Sequence, residues 1–409
     1  LPEHNDYLKG LMTNHLILLE KQNLEDALQS VSKTCINCKF CKRECAFLQK
    51  YGKPKEIADC YDESNHTCRT MPFECSLCQL CEAVCPVNVK PVEMFLHMRR
   101  AAEAHYQGLH ARHGTLLDYE RRGTSRWYSY YALPAQCNTV LFPGCALPGA
   151  QPNTILRLFE HLQKCFPALG IVLDCCTKPS HDLGRRQYFA AMFGEMLQFL
   201  TKNGIQRILV ACPSCYRTFK DYGSPLEVQT VYEVLAAGLL TGIEPSSGVV
   251  CVHDPCATRY EPEIHEASRQ LISAAGFTIE QMPHEREETL CCGEGGAVGF
   301  VNRDLAEHWA ERRAREAKGQ RIITYCSGCV SFLGKINPTS HLLDVVFESR
   351  AVMNGSIRVS KPPFTYLNRI RLKNYFRRNL AAAVTRERTF SPDESDSRLS
   401  RMKRSIPYL

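Results

Sequence analysis

Two adjacent cysteine pairs, Cys175-Cys176 and Cys291-Cys292, constrain this chain more than any other feature, because each is flanked by the same set of partners. The first pair is preceded by Cys145 and followed by Cys212-Pro213-Ser214-Cys215; the second is preceded by Cys256 and followed by Cys326-Ser327-Gly328-Cys329. Corresponding cysteines lie 111, 116, 114 and 114 positions apart (145 to 256, 175 to 291, 212 to 326, 215 to 329). A near-constant offset of that size is what a duplicated unit leaves behind. In a chain of 409 residues with 23 cysteines, such spacing reads as metal donors and not as the disulfide framework of a short secreted scaffold. Each copy can bring five thiols from distant points to one centre.

Two quartets stand upstream: Cys35, Cys38, Cys41, Cys45 and Cys75, Cys78, Cys81, Cys85, the second followed by Pro86. Both follow Cys-x2-Cys-x2-Cys-x3-Cys, the run of bacterial dicluster ferredoxins. Three cysteines on a tight loop hold three iron corners of a cubane, and the fourth, on the following helix, reaches the other cluster. On that rule Cys35, Cys38, Cys41 and Cys85 bind one 4Fe–4S cluster, and Cys75, Cys78, Cys81 and Cys45 bind the second. Structural zinc instead calls for paired Cys/His blocks. Five cysteines remain as ordinary thiols: Cys60, Cys68, Cys137, Cys165 and Cys251. Cys137 is an alternative first donor to Cys145, which is preferred because it follows a strand in a Pro-Gly-Cys context, as Cys256 does in Asp-Pro-Cys.

The paired motifs resemble the cysteine-rich (CCG) domains of the heterodisulfide reductase family, which includes iron–sulfur subunits of anaerobic glycerol-3-phosphate, lactate, glycolate and fumarate/succinate oxidoreductases. The resemblance covers residues 30 to 345. It implies an α+β dicluster ferredoxin domain with flanking helices, followed by two duplicated α/β cysteine-rich units. It also implies two cubane 4Fe–4S clusters and two further, noncubane 4Fe–4S clusters. Cys145, Cys175, Cys176, Cys212 and Cys215 would hold one noncubane cluster, and Cys256, Cys291, Cys292, Cys326 and Cys329 the other, as the catalytic groups of disulfide cleavage by paired one-electron steps. The chain is then an oxidoreductase subunit of an anaerobic complex, exchanging electrons between a flavoprotein partner and a disulfide, with hydrogenase, formate dehydrogenase or membrane subunits as further candidates for its complex. The alternatives are an iron–sulfur subunit of a quinone-linked dehydrogenase, or a non-catalytic carrier in a bifurcating complex. Two departures bear on the first site: Thr177 stands where the second copy has Gly293, and the interval from Cys145 to Cys175 is shorter than that from Cys256 to Cys291.

Along the chain, residues 5–32 carry helical periodicity and, with the quartets, form a first domain over 1–112; a linker spans 113–136, including the aromatic run Trp127–Tyr131, which reads as packed linker or as a quinone or partner surface. Tyr51–Thr70 reads as a polar loop between the quartets. The cysteine-rich units occupy 137–245 and 246–350. Their buried strands are expected at 139–142, 170–173, 207–212, 248–253, 289–290 and 321–325, and their helices at 155–165, 185–202, 262–275, 303–318 and 341–348. Cysteines then sit at strand carboxyl ends, where open α/β sheets build sites. Gly293, Gly295 and Gly296 are expected to let the backbone approach an inorganic core.

The formal charge of +7 resides in a basic extension, 351–409: residues 358–409 hold thirteen Lys/Arg and four Asp/Glu. Leu367–Thr385 reads as a basic helix for docking, a solvated face or a membrane surface, and Thr389–Leu409 as an extended segment ordered by a partner. No recognition fold accompanies this basic stretch, so a nucleic-acid partner is not expected. No apolar run is long enough to span a bilayer. Reduced thiols argue for the cytoplasm, with any membrane contact made through a partner. The chain begins at Leu1 rather than Met, which leaves a preceding leader open.

Overall fold

The computed structural model describes residues 2–105, 110–239 and 246–392, with backbone only for residues 2–17 and 239. It divides into two compact units, one drawn from residues 1–115, 179–186 and 293–309, the other from 116–178, 187–292 and 310–409.

The first unit contains no strand among the described residues, which corrects the α+β expectation for the ferredoxin part. The quartets sit on loops and on short helical turns, with Cys41 inside Phe40–Glu44, Cys81 inside Leu80–Ala83 and Ala46–Tyr51 following Cys45, and helix packing replaces a sheet. The helical stretch expected at 5–32 is a single helix, Pro2–Thr34. Its Leu24 and Val31 belong to a core with Phe47, Ile57, Phe95 and Met98. The expected polar loop between the quartets also folds into helices. Pro54–Cys60 starts with proline, and Glu56 accepts from the Lys53 backbone N–H at 2.8 Å; His66–Thr70 is capped by Asn65. Arg99, fully buried, donates to the carbonyls of Pro72, Cys75, Asp182 and Gly296. Gly296, at φ +60°, lies so close that a Cβ there would meet the Cys75 carbonyl at 2.4 Å. Gly296 thus lets the backbone pack closely against the start of the second quartet.

The second unit holds the strands. β1 (Tyr130–Leu133), β2 (Thr139–Phe142), β3 (Gly170–Leu173), β4 (Arg207–Val210) and β5 (Glu227–Thr230) belong to one sheet; β6 (Gly248–His253), β7 (Phe277–Glu280), β8 (Arg321–Thr324) and β9 (Thr339–His341) form another; β10 (Val384–Arg386) returns to the first. The orders are β10-β1-β3-β2-β4-β5 and β7-β6-β8-β9. The parallel blocks β3-β2-β4-β5 and β7-β6-β8-β9 therefore share one topology. Their central strands are near-continuous buried apolar runs because parallel sheets are covered on both faces.

Three expectations are corrected here. Thr289-Leu290 is a loop, not a strand; the edge strand of the second sheet is β7, ten residues upstream of the cysteine pair. This explains the longer interval in the second copy, since Cys175 follows β3 after only one residue. The 113–136 stretch is helix Gly114–Gly123 followed by β1, which pairs antiparallel with β3 because Tyr130–Leu133 is apolar enough to be buried throughout. The basic extension folds back: helix Phe364–Asn379 buries Leu372 and Phe376, and β10 pairs with β1 (Leu133 opposite Val384). Residues 393–409, most of the expected partner-ordered segment, lie outside the described residues. Among the described residues no helix is long and apolar enough to cross a membrane.

Candidate metal centres

In the first unit the quartets gather crosswise. Cys41 is pushed up to about 11 by burial and by repulsion from Cys35, Cys38 and Cys85. Cys81 is raised well above the ordinary thiol range by burial and by its neighbours Cys45, Cys75 and Cys78, and Cys75 is pushed up to about 12, chiefly by burial. The last cysteine of each run thus stands with the first three of the other. Buried thiols this close stay protonated unless a cation offsets their charge. Four sulfur donors per group fit a 4Fe–4S cluster, and the Val89 N–H, 3.4 Å from the Cys85 sulfur, is the kind of contact that tunes one.

The second unit assembles five thiols per copy from the ends of its strands. In the first copy Cys145 follows β2, the Cys175-Cys176 pair follows β3 and Cys212 follows β4. Cys212 stands at the N-cap position of helix Pro213–Tyr222, which puts Cys215 in its first turn, and contact with Cys176 and Cys212 together with burial holds the Cys215 thiol well above its ordinary range. Cys175 is in contact with Cys145 and Cys176, and Cys215 with Cys176 (sulfurs 3.4 Å apart) and Cys212. Gly144, at φ +81°, permits this convergence: a Cβ there would stand 3.1 Å from that of Cys212 and 3.4 Å from the Cys215 sulfur. The alternative donor, Cys137, lies elsewhere, its thiol directed to the Thr139 carbonyl at 3.3 Å.

The second copy repeats the contacts. Cys256 touches Cys291, and Cys329 touches Cys292 and Cys326. Cys326 stands at the N-cap position of helix Ser327–Leu333 as Cys212 stands at that of its own helix. Thr177 and Gly293 both have positive φ, 55° and 100°, so the backbone after each pair turns alike despite the substitution. Thr177 directs its hydroxyl to the Cys176 carbonyl at 2.8 Å. Both constellations offer the sulfur-rich donor sets that iron–sulfur centres take.

Several residues around these thiols had no signal in the sequence. Arg369, from the basic extension, is buried beside the first site and, after the contact with Cys175, helps hold Cys145 below the ordinary thiol range. Tyr119 donates to the Cys145 carbonyl at 3.1 Å. Asp174 accepts from the Cys175 N–H (2.7 Å), Tyr131 (2.5 Å) and Arg388 (3.1 Å). The second site has its own carboxylate, Asp254, accepting two bonds of 2.9 Å from Arg269 and one of 2.8 Å from the Arg286 N–H. Tyr232, buried between the copies, donates to the carbonyls of Ala211 (2.7 Å) and Tyr325 (3.0 Å), the residues just before Cys212 and Cys326. His253, at the end of β6, is fully buried and lowered by burial to about 3; one ring nitrogen and the sulfurs of Cys292 and Cys329 all lie within 4.8 Å of one another.

Residues 31–89 match the 4Fe-4S dicluster domain, and residues 139–220 and 250–334 match the cysteine-rich domain. The chain is similar to an uncharacterized iron–sulfur protein of Methanocaldococcus jannaschii (23% identical, 72% of this chain and 66% of that protein). It is also similar to an EtfAB:quinone oxidoreductase of Syntrophomonas wolfei (22%, 64% and 43%) and to one of the subunits of a dihydromethanophenazine:CoB–CoM heterodisulfide reductase of Methanosarcina barkeri (22%, 62% and 69%). The matches span less than two thirds of the first two relatives' own length.

Proposed function

We propose that this chain, a heterodisulfide reductase-like iron–sulfur protein with a dicluster domain and two cysteine-rich domains, moves electrons between a flavoprotein partner and a disulfide. The observation that carries the reading is the repetition of one five-thiol constellation in two copies, with Tyr232 hydrogen-bonded to the strand end before each Cys-x-x-Cys. A cubane takes four protein ligands, so a fifth thiol at each site supports an expanded cluster able to meet a substrate sulfur. When bound, the clusters supply one-electron transfer. The chain's own part is to gather the thiols crosswise in the first unit, to set two five-thiol groups at strand ends in the second, and to bias the charge of the first of these through Arg369.

The likeness to a quinone oxidoreductase favours one rival, electron delivery from a flavoprotein to a quinone. Protein purified without oxygen, carrying about sixteen irons for four clusters, is reduced and then offered a panel of small disulfides and, separately, a menaquinone analogue while cluster absorbance is followed. Reoxidation by a disulfide, lost in Cys291→Ala, is the expected result. Reoxidation by the quinone alone, unaffected by Cys291→Ala, selects the rival.

A further inference from the structure

The two copies differ at the last residue of the strand that leads to the first cysteine of each site. Three residues before its first cysteine, the first copy has Phe142, whose ring packs edge-on against Phe219 at 5.1 Å. The second copy has His253 at the corresponding place, the last residue of β6 as Phe142 is the last of β2. Neither ring nitrogen of His253 has a hydrogen-bond partner among the described residues, and the side chain is fully buried.

Buried polar groups are almost always hydrogen-bonded, because leaving one unsatisfied forfeits its hydration with nothing in return. An aromatic hydrocarbon fills the equivalent slot in the first copy, so packing alone does not call for an imidazole. Imidazole nitrogen, like thiolate, is a donor that suits iron and zinc. The ring nitrogen stands within the same 4.8 Å cluster as the Cys292 and Cys329 sulfurs, and the Cys326 thiol touches Cys329.

We propose that His253 is a nitrogen ligand of the second cysteine site, which makes that site mixed thiolate–imidazole where the first is thiolate only. The proposal rests on the reading above that the five-thiol groups hold iron–sulfur clusters. A neutral imidazole, which the first site lacks, sets the potential of an iron–sulfur centre apart from that of an all-thiolate one, as Rieske centres illustrate. Two copies with the same thiols would then have different potentials, giving the pair a direction for electron flow.

The test uses the full chain, purified without oxygen, with and without 15N-labelled histidine. Pulsed electron paramagnetic resonance on the second site's signal should show a nitrogen coupling that changes on labelling. The first site's signal should show none. His253→Phe should abolish the coupling, and His253→Cys should abolish it while shifting the second site's midpoint potential downward and leaving the first unchanged. If either variant fails to fold, the labelled and unlabelled wild-type spectra still decide. A second-site signal without histidine coupling, or a coupling that survives in His253→Phe, overturns the proposal alone. Wild-type protein lacking the second site's irons overturns the cluster reading beneath it and the proposal together.

Discussion

The two cysteine-rich copies share strand order and thiol contacts, yet they are braced from different places. The second copy supports itself: Asp254 is held by Arg269 from its own helix Pro262–Ala274, and Arg313 donates to the Val252 carbonyl on β6 at 2.9 Å. The first borrows its support. β1 and β10 extend its sheet, and Arg388, past the end of β10, reaches Asp174, Glu195 and the Met192 carbonyl. Arg386 pairs with Glu195 at 2.6 Å and lies over the rings of Tyr131 and Phe199. On the proposed reading the thiols repeat because a metal centre requires them at fixed places, whereas the scaffold needs only that each buried carboxylate meet some cation, from whichever segment can reach it.

The largest effect should come from cutting that borrowed brace. Arg388→Ala leaves Asp174 buried without its guanidinium, and breaking a buried pair from one side costs about 3–5 kcal/mol. The expected outcome is loss of the first site's cluster signal and a lowered urea midpoint, with the second site's signal retained. Arg269→Ala should give the reverse pattern. If both variants emptied both sites alike, the copies would not be separately braced, and the contrast would fail.

This contrast also marks what the sequence could and could not reveal. Donor spacing is covalent information, so the four cysteine groups were readable directly, and β2, β3 and β6 were visible as short apolar runs between turn signals. β5 and β9 were missed because they are short and carry polar residues such as Glu227, Gln229 and Ser340. β10 is unreadable for another reason: Val384–Arg386 becomes a strand only through pairing with β1, some 250 positions earlier. Basic residues of the extension looked solvated, since sequence shows charge without its partner. Arg369, Lys373 and Arg388 are in fact buried, Lys373 against the carbonyls of Arg126 and Trp127. His253 stands three residues before Cys256 in the chain, but only the fold brings it beside Cys292 and Cys329.

A smaller effect separates what is private to one copy from what is shared. Tyr232→Phe removes a buried donor from two carbonyls, for a loss of about 1–3 kcal/mol, and should perturb the spectra of both cysteine sites. Tyr119→Phe removes the hydroxyl that meets both the Cys145 carbonyl and its thiol and should disturb the first site only. Site-resolved Mössbauer or paramagnetic resonance spectra of the two variants make the comparison. A Tyr232→Phe spectrum altered at one site alone would mean that this tyrosine does not couple the copies.

The smallest effect lies at the contact between the copies and shows itself only in acid. Asp344, on helix Leu342–Met353 of the second copy, accepts from Gln151 of the first at 2.5 Å. Burial raises its carboxyl to about 6, with Glu348 adding to the rise, and its other oxygen has no partner among the described residues. The folded protein therefore keeps this proton at pH values where the unfolded chain, with an ordinary carboxyl near 3.9, has released it. Because the native state binds more protons across that window, its stability falls as pH rises from about 4 to about 6 and then levels off. Asp344→Asn keeps an oxygen for Gln151 and carries no titrating proton, so its unfolding midpoint should change less with pH over the window, and at pH 7 it should equal or exceed that of the parent. Other carboxylates contribute their own slopes, so the quantity to measure is the difference between variant and parent at each pH. A difference that stays constant between pH 4 and 6 would show that Asp344 is already ionised throughout, and that Gln151 joins the two copies through a charged carboxylate and not a neutral one.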